Sequence, residues 1–521
     1  MYVILCSNGT LAKKKKGTNH PLFNPTRLKT VFAPLLLSHT NLSPLQTLCQ
    51  PASLASMSSQ NPFNIPDILW KVPHHVTGRS LLACVRVSKV WYQAFLPQIW
   101  KDIELTKKKP HPPGAIYGYM YSRFVKTLRI RCSFKKEHTL ILPNLASLTV
   151  ENVNCDENLL RLIGHYPMLI HLDVRRNIGT HSTRFLGILT RLHSLKDVTL
   201  MGLEVNETNV NRFWQLCAQL ERLDVSFQQI SIQDIQPAMQ FPRMRELRAS
   251  DFPVGNVRWI LDFMQRCPGL RSLGSLARDA NQLLIPRLAP LICTRTWPHL
   301  QGIALWTFSR DEDDVASVVA GMQRVIAFEA LLLVFTPRML DLLRPHFGYL
   351  QTLDLFTAPG FTSAMAQEVM SSCPSLTTFK GCNIRAIDII RGQPWVCLKL
   401  KVLELRLRTN PLTLSQSQPL VFEQLSKLTL LQELYVYAWK TNGIMLDLRL
   451  ECGLGRLSTL RSLRFLDLSH ATMQPLQHVE MEWILDHWKN LERVLGRLNT
   501  QSQAQDTVLK TRLKHHGIAV L

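Results

Sequence analysis

The sequence predicts an α/β chain: a small N-terminal three-helix bundle, then a long curved solenoid of short parallel strands and helices. Three observations carry this expectation. The chain has 521 residues, too many for one ordinary hydrophobic core. Apolar residues make up 46% and charged residues 19%, so most of the length can bury a core. From about Phe124 to the C-terminus a short pattern, L-x-x-L-x-L with conservative swaps, keeps returning.

Residues 1–60 are rich in Ser, Thr, Pro, Asn and Gln around Lys13–Lys16, and no acid precedes Asp67. Such a segment buries too little apolar surface to offset its ordering entropy, so a disordered basic tail is expected. Met57, just before the first apolar-periodic segment, is an alternative start. Residues 61–105 are helical in pattern. Ile65, Ile68, Leu69, Val72 and Val76 recur at helical spacing, and Pro66 suits a first turn. Leu81, Leu82 and Val85 form a second apolar face after Gly78, and Ser88 can cap a third helix with Trp91 and Phe95 facing inward. Pro73 falls inside the first helix, which must stop at Val72 or bend there. Residues 106–120 form a Lys/Pro linker, whose prolines interrupt helix and sheet alike. Residues 121–521 hold the repeats and a C-terminal cap.

The repeat reads Val125-x-x-Leu128-x-Ile130, Leu145-x-x-Leu148-x-Val150 and Leu169-x-x-Leu172-x-Val174, and continues through Leu463-x-x-Leu466-x-Leu468. Phe328-x-x-Leu331-x-Leu333 is read as one unit and Leu491-x-x-Val494 as another. Most spacings lie near 20–30 residues, which matches the period of leucine-rich repeats. One strand plus one helix cannot bury its own apolar face, so stacking supplies the core. Cys217, Cys267 and Cys373 each stand three residues before an anchor. They read as small apolar residues closing each helix rather than as ligands or nucleophiles.

Residues 64–105 resemble the F-box. The resemblance lies in Ile65-Pro66-x-Ile68-Leu69, in Leu81-Leu82 followed by Val85, Val87-Ser88-Lys89-x-Trp91, and in the closing Ile99-Trp100. F-boxes dock a Skp-type adaptor and through it a cullin scaffold. An F-box ahead of leucine-rich repeats is similar to the substrate receptors of such ubiquitin ligases. The resemblance implies that Ile65, Pro66, Ile68, Leu69, Leu81, Leu82, Val85, Val87 and Trp91 supply the bundle core and the adaptor surface. The sequence alone does not divide them between those roles. It implies a non-catalytic subunit that captures an unknown protein substrate, in the cytoplasm, the nucleus or both. Two other readings stand beside it: a non-degradative scaffold with a degenerate F-box, and a basic nucleic-acid-associated repeat protein.

The formal charge is +22, which suits an anionic partner. Residues 1–150 hold 20 Lys+Arg against 4 acids; the basic signal is therefore N-terminal, and nucleic acid is disfavoured as a partner of the array. No uncharged run is apolar enough for a membrane helix. Twelve cysteines include no Cys-x-x-Cys pair, which argues against a compact zinc site and for a reducing compartment. No phosphate loop, nucleophile elbow or H-E-x-x-H is present, so neither catalysis nor a cofactor is expected. Asp311–Asp314 reads as an acidic helix start rather than a metal site, and His74-His75 and His515-His516 as surface histidines. Substrate readout should use strand residues facing away from the repeat core. Candidates are Asp173, Arg175, Asp224, Trp306, Asp354, Phe356, Arg406, Tyr435, Tyr437 and Asp467. Among them Trp306, Phe356, Tyr435 and Tyr437 are favoured, because large aromatics facing water tend to anchor interfaces. The Asp at the middle strand position recurs in four repeats, which fits a habit of the strand as well as recognition.

Overall fold

Each strand pairs in parallel with the next one in sequence, so the chain advances along a single 17-stranded sheet. The computed structural model describes residues 69, 71–72, 76, 78–106, 121–132, 140–153, 156–230, 239–250, 257–274, 278–306, 312–331, 334–355, 358–408, 414–438, 447–469 and 475–520. Residues 66–521 form one compact unit. The predicted tail, Ile65, Pro66, Ile68, Pro73, the His74-His75 pair, Asp311 and most of the predicted linker lie outside the described residues.

Two helices come first, α1 (Gly78–Cys84) and α2 (Lys89–Trp100). The strands follow: β1 (Asp102–Leu105), β2 (Thr127–Ile130), β3 (Ser147–Glu151), β4 (His171–Asn177), β5 (Asp197–Val205), β6 (Arg222–Ile230), β7 (Glu246–Ser250), β8 (Ser272–Gly274) and β9 (Gly302–Trp306). The second half holds β10 (Ala327–Leu331), β11 (Thr352–Asp354), β12 (Thr378–Arg385), β13 (Val402–Arg408), β14 (Glu433–Ala438), β15 (Phe465–Leu468), β16 (Arg493–Gly496) and β17 (Ala519–Val520). No pairing joins β1 to β17 among the described residues, so the sheet is open, as a repeat solenoid requires.

The repeat pattern becomes a ladder. Leu128, Leu148, Leu172, Val198, Leu223, Leu247 and Leu273 stand opposite one another across successive strands, and all are buried. Side chains alternate between the faces of a strand. The next anchors, Ile130, Val150, Val174, Leu200 and Val225, therefore return to the same buried face two residues on. The intervening residues face the other side. The position three residues before the first anchor closes each helix: its carbonyl accepts that anchor's amide, from Leu169 to Tyr166, Leu220 to Cys217, Leu270 to Cys267 and Leu376 to Cys373. Cys217, Cys267 and Cys373 are buried there, and Cys397 repeats the arrangement with Leu400. Burial pushes all four thiols up, Cys397 to about 12. These thiols are protonated filler.

The sequence placed one repeat out of register. Phe328, taken as a first anchor, is the second: it pairs with Ile303 and Leu353, between buried Val325 and Ala330. The aromatic ring fills the site that leucine holds elsewhere, while Leu331 only ends the strand. The sheet also starts earlier than residue 121, because Asp102–Leu105 pairs with β2 and Leu105 is buried in the array's core. At the far end the helix Gln503–His515 and β17 close the stack.

Helix starts follow local chemistry. Asp156 accepts from the Asn158 and Leu159 amides at 3.1 and 3.0 Å ahead of the helix Glu157–Gly164. Glu312, Asp313 and Asp314 sit in the first turn of Glu312–Gly321, where carboxylates complement the helix dipole. One stretch of core is strongly aromatic: Trp214 packs its ring against Phe213, Phe241, Trp259 and Phe263 at centroid distances of 5.0, 5.7, 5.2 and 5.4 Å. Among the described residues no helix is long and apolar enough to cross a membrane.

Candidate protein-interaction surfaces

The helices α1 and α2 have a small core of their own. Leu69, Leu81, Ala94 and Phe95 are buried in it, and Val72, Val76, Val85, Trp91 and Ile99 pack against them. Trp91 stacks on Phe95 at 5.2 Å. Ser88 starts α2 by accepting the Trp91 amide at 3.2 Å. Trp100, at the end of α2, packs against the array's core and stacks on Tyr121 at 5.1 Å. The Tyr92 and Tyr121 hydroxyls share a hydrogen bond of 3.1 Å, which raises the Tyr92 phenol to about 12.

The structure separates residues that the sequence left pooled. Leu69 and Leu81 are core, and Val85 and Trp91 lie at its margin. Leu82 and Val87 are instead 54% and 63% exposed, and Val90 and Tyr92 join them at the surface. Residues 82–92 thus put four apolar or aromatic side chains at the surface, and Tyr92 among them keeps its hydroxyl on Tyr121.

The second surface is the sheet face opposite the anchors. Its middle row carries Glu104, Asp173, Asp224, Glu329, Asp354, Glu404 and Asp467, against the cations Arg129, Arg248 and Lys380. The row is thus acidic on a chain that is basic overall. Burial holds the Asp173, Asp224, Glu329 and Glu404 carboxyls above the ordinary carboxylate range, because water is partly excluded from the charged form. Some acids have local cations: Arg175 meets Asp173 at 2.9 Å, Lys380 meets Asp354 at 3.3 Å and Arg406 meets Glu404 at 3.3 Å.

Tyr435 and Tyr437 lie on this face, stacked at 6.4 Å, with the Arg406 guanidinium 5.8 Å from the Tyr437 ring centre. Trp306 ends β9, its side chain undescribed, and Phe356 lies outside the described residues. The sequence reading missed Glu404, Phe465 and Glu329. Phe465 packs 5.1 Å from Tyr435, and its position just before Leu466 carries small or charged residues in most other repeats. An aromatic there is a signal that was available.

Arg131 bridges Glu104 and Glu151, each at 2.8 Å. Among the described residues no cluster of His, Cys, Asp or Glu could hold a metal ion. His515 and His516 are exposed at the last helix's end.

No protein-family model matches the chain. The chain is similar to Lysine-specific demethylase 2A of Xenopus tropicalis, 25% identical over 176 residues. That match covers 30% of this chain and 15% of the relative. The likeness is therefore to a part of that protein. The parallel repeat sheet fits a leucine-rich-repeat architecture.

Proposed function

We propose that this chain is the substrate-recognition subunit of a Skp-adaptor/cullin/F-box ubiquitin ligase. In this reading the α1–α2 unit docks the adaptor and the open sheet face captures the protein to be modified. The observation that carries the reading is the exposure of Leu82, Val87 and Val90 on a helical unit whose own core is already filled by Leu81, Ala94 and Phe95. The chain does no bond chemistry in this role. It raises the concentration of a bound protein near the charged ubiquitin carrier, a gain set by tethering rather than by new contacts. The Trp100–Tyr121 stack and the sheet that starts at Asp102 fix the helical unit against the first repeats. Such a fixed joint limits where a captured protein can stand.

The test is co-purification of the full chain with a Skp-type adaptor. Leu82→Asp combined with Val87→Asp should cut adaptor recovery at least tenfold and leave thermal stability nearly unchanged. Exposed substitutions of this kind usually move stability by about 0.5 kcal/mol or less. Equal recovery by the double variant would refute the docking surface. A wild-type chain that recovers no adaptor would refute the ligase reading.

A further inference from the structure

We infer that the open face around β14 and β15 binds an arginine or lysine side chain from a basic, extended segment of a partner protein, between Tyr435 and Asp467. This rests on the substrate-receptor reading and names the chemistry of what that face takes.

The charges there do not cancel. Tyr435 and Asp467 are opposite each other in the β14–β15 pairing, and Glu404 is opposite Tyr435 on the other side. Glu404 has Arg406 at 3.3 Å. Glu433 accepts the Tyr435 hydroxyl at 2.8 Å. Asp467 is 4% exposed, and among the described residues it takes only the Ser469 amide, at 2.8 Å, on one oxygen. No cation of the described residues reaches the Asp467 carboxylate. A buried carboxylate without a counter-ion is costly, and a cation from outside removes that cost.

The surroundings suit a cation in particular. Tyr435 presents a ring flanked by Tyr437 and Phe465. Ring faces attract cations, and two already do so at the edges of this cluster: Arg406 lies over Tyr437 and Arg493 lies 5.1 Å from the Phe465 centroid. An anion would meet Glu404, Glu433 and Asp467 together. The partner segment is extended in this reading, because the middle row runs across successive strands, from Asp467 past Tyr435 to Glu404.

The experiment is fluorescence anisotropy of the full chain with labelled octaarginine, and with octaglutamate as the opposite probe. Octaarginine should bind through Asp467, and any octaglutamate binding, expected from the basic N-terminal part, should be unmoved by Asp467→Asn. Asp467→Asn, which keeps the side chain's shape, should weaken octaarginine about tenfold, and so should Tyr435→Leu. Tyr435→Phe, which keeps the ring, should bind within about twofold of wild type. Unchanged affinity in both Asp467→Asn and Tyr435→Leu would overturn the inference, and so would octaglutamate binding that Asp467→Asn weakens. Affinity that rises when Lys13–Lys16 are all replaced by Gln would assign the site to the chain's own basic block and overturn a separate partner. Adaptor recovery depends on residues 82–92, so it should be untouched by Asp467→Asn. Loss of adaptor with peptide binding intact sinks the ligase reading alone. Insensitive peptide binding with adaptor intact sinks this inference alone.

Discussion

Trp214→Ala should open one region of the array and leave the rest closed. Trp214 is fully buried in the helix Val210–Gln219, and its ring meets four others: Phe213 within the helix, Phe241 after β6, and Trp259 and Phe263 on the helix Val257–Gln265. Truncating a buried tryptophan costs about 3–5 kcal/mol in transfer and cavity terms. The Trp259 and Phe263 contacts cross from one repeat to the next, so the loss falls on the interface between repeats as well as within one. Stability in a stacked array is close to a sum of repeat terms and nearest-neighbour terms. The cost should therefore stay local, in β5 to β8 and their helices. At 1.4 kcal/mol per factor of ten, amide exchange there should speed up roughly 100- to 4,000-fold. Hydrogen exchange read by mass spectrometry resolves the segments. Peptides covering residues 197–274 should lose protection, while those covering β13 to β16 keep it. Trp214→Phe, which refills most of the cavity, should restore most of the protection. An even loss across all strands, or one thermal transition shifted as a block, would refute nearest-neighbour stacking as the basis of this fold.

Two further outcomes test electrostatics. The Asp506 carboxylate is buried, but it holds Lys510 at 2.9 Å and accepts the Leu498 and Asn499 amides at 2.7 and 3.1 Å, and these hold its carboxyl below the usual 3.8. A lowered folded value means stability present above the unfolded value and lost as pH falls through the folded one. Asp506→Asn should cost about 1–3 kcal/mol at neutral pH, with a deficit that closes as a denaturation series goes below pH 3.8; a deficit independent of pH would refute the ionic origin. Glu404 is the opposite case. Burial raises its carboxyl above the usual 4.5 despite Arg406, so the folded state binds more protons and stability falls as pH rises through that window. Glu404→Gln should melt higher than wild type at pH 7, with the gain vanishing below pH 4.5. A lower melting temperature at pH 7 would show that the Arg406 pair outweighs desolvation.

The repeat architecture was legible in the amino-acid pattern alone. Its anchors recur at a period that only stacked strand-and-helix units satisfy, and the ladder from Leu128 to Val494 follows it. The cysteines before the anchors were legible for the same reason, since a buried helix-closing position accepts any apolar residue of fitting size. Register at Phe328 was not legible, because Val325, Phe328 and Ala330 fill the sites while a leucine-rich run follows and mimics the motif. Only tertiary structure decided which F-box-like residues are core: Leu81 and Leu82 are adjacent and equally apolar, and helix packing buries one and exposes the other. The recurring middle-position aspartates were legible, but tertiary structure set Glu329 and Glu404 beside them and left Asp467 with no cation among the described residues, while Asp354 has Lys380 and Glu404 has Arg406. Parallel pairing brings residues about 25–30 positions apart onto one face, and which of them meet a counter-ion depends on side-chain packing.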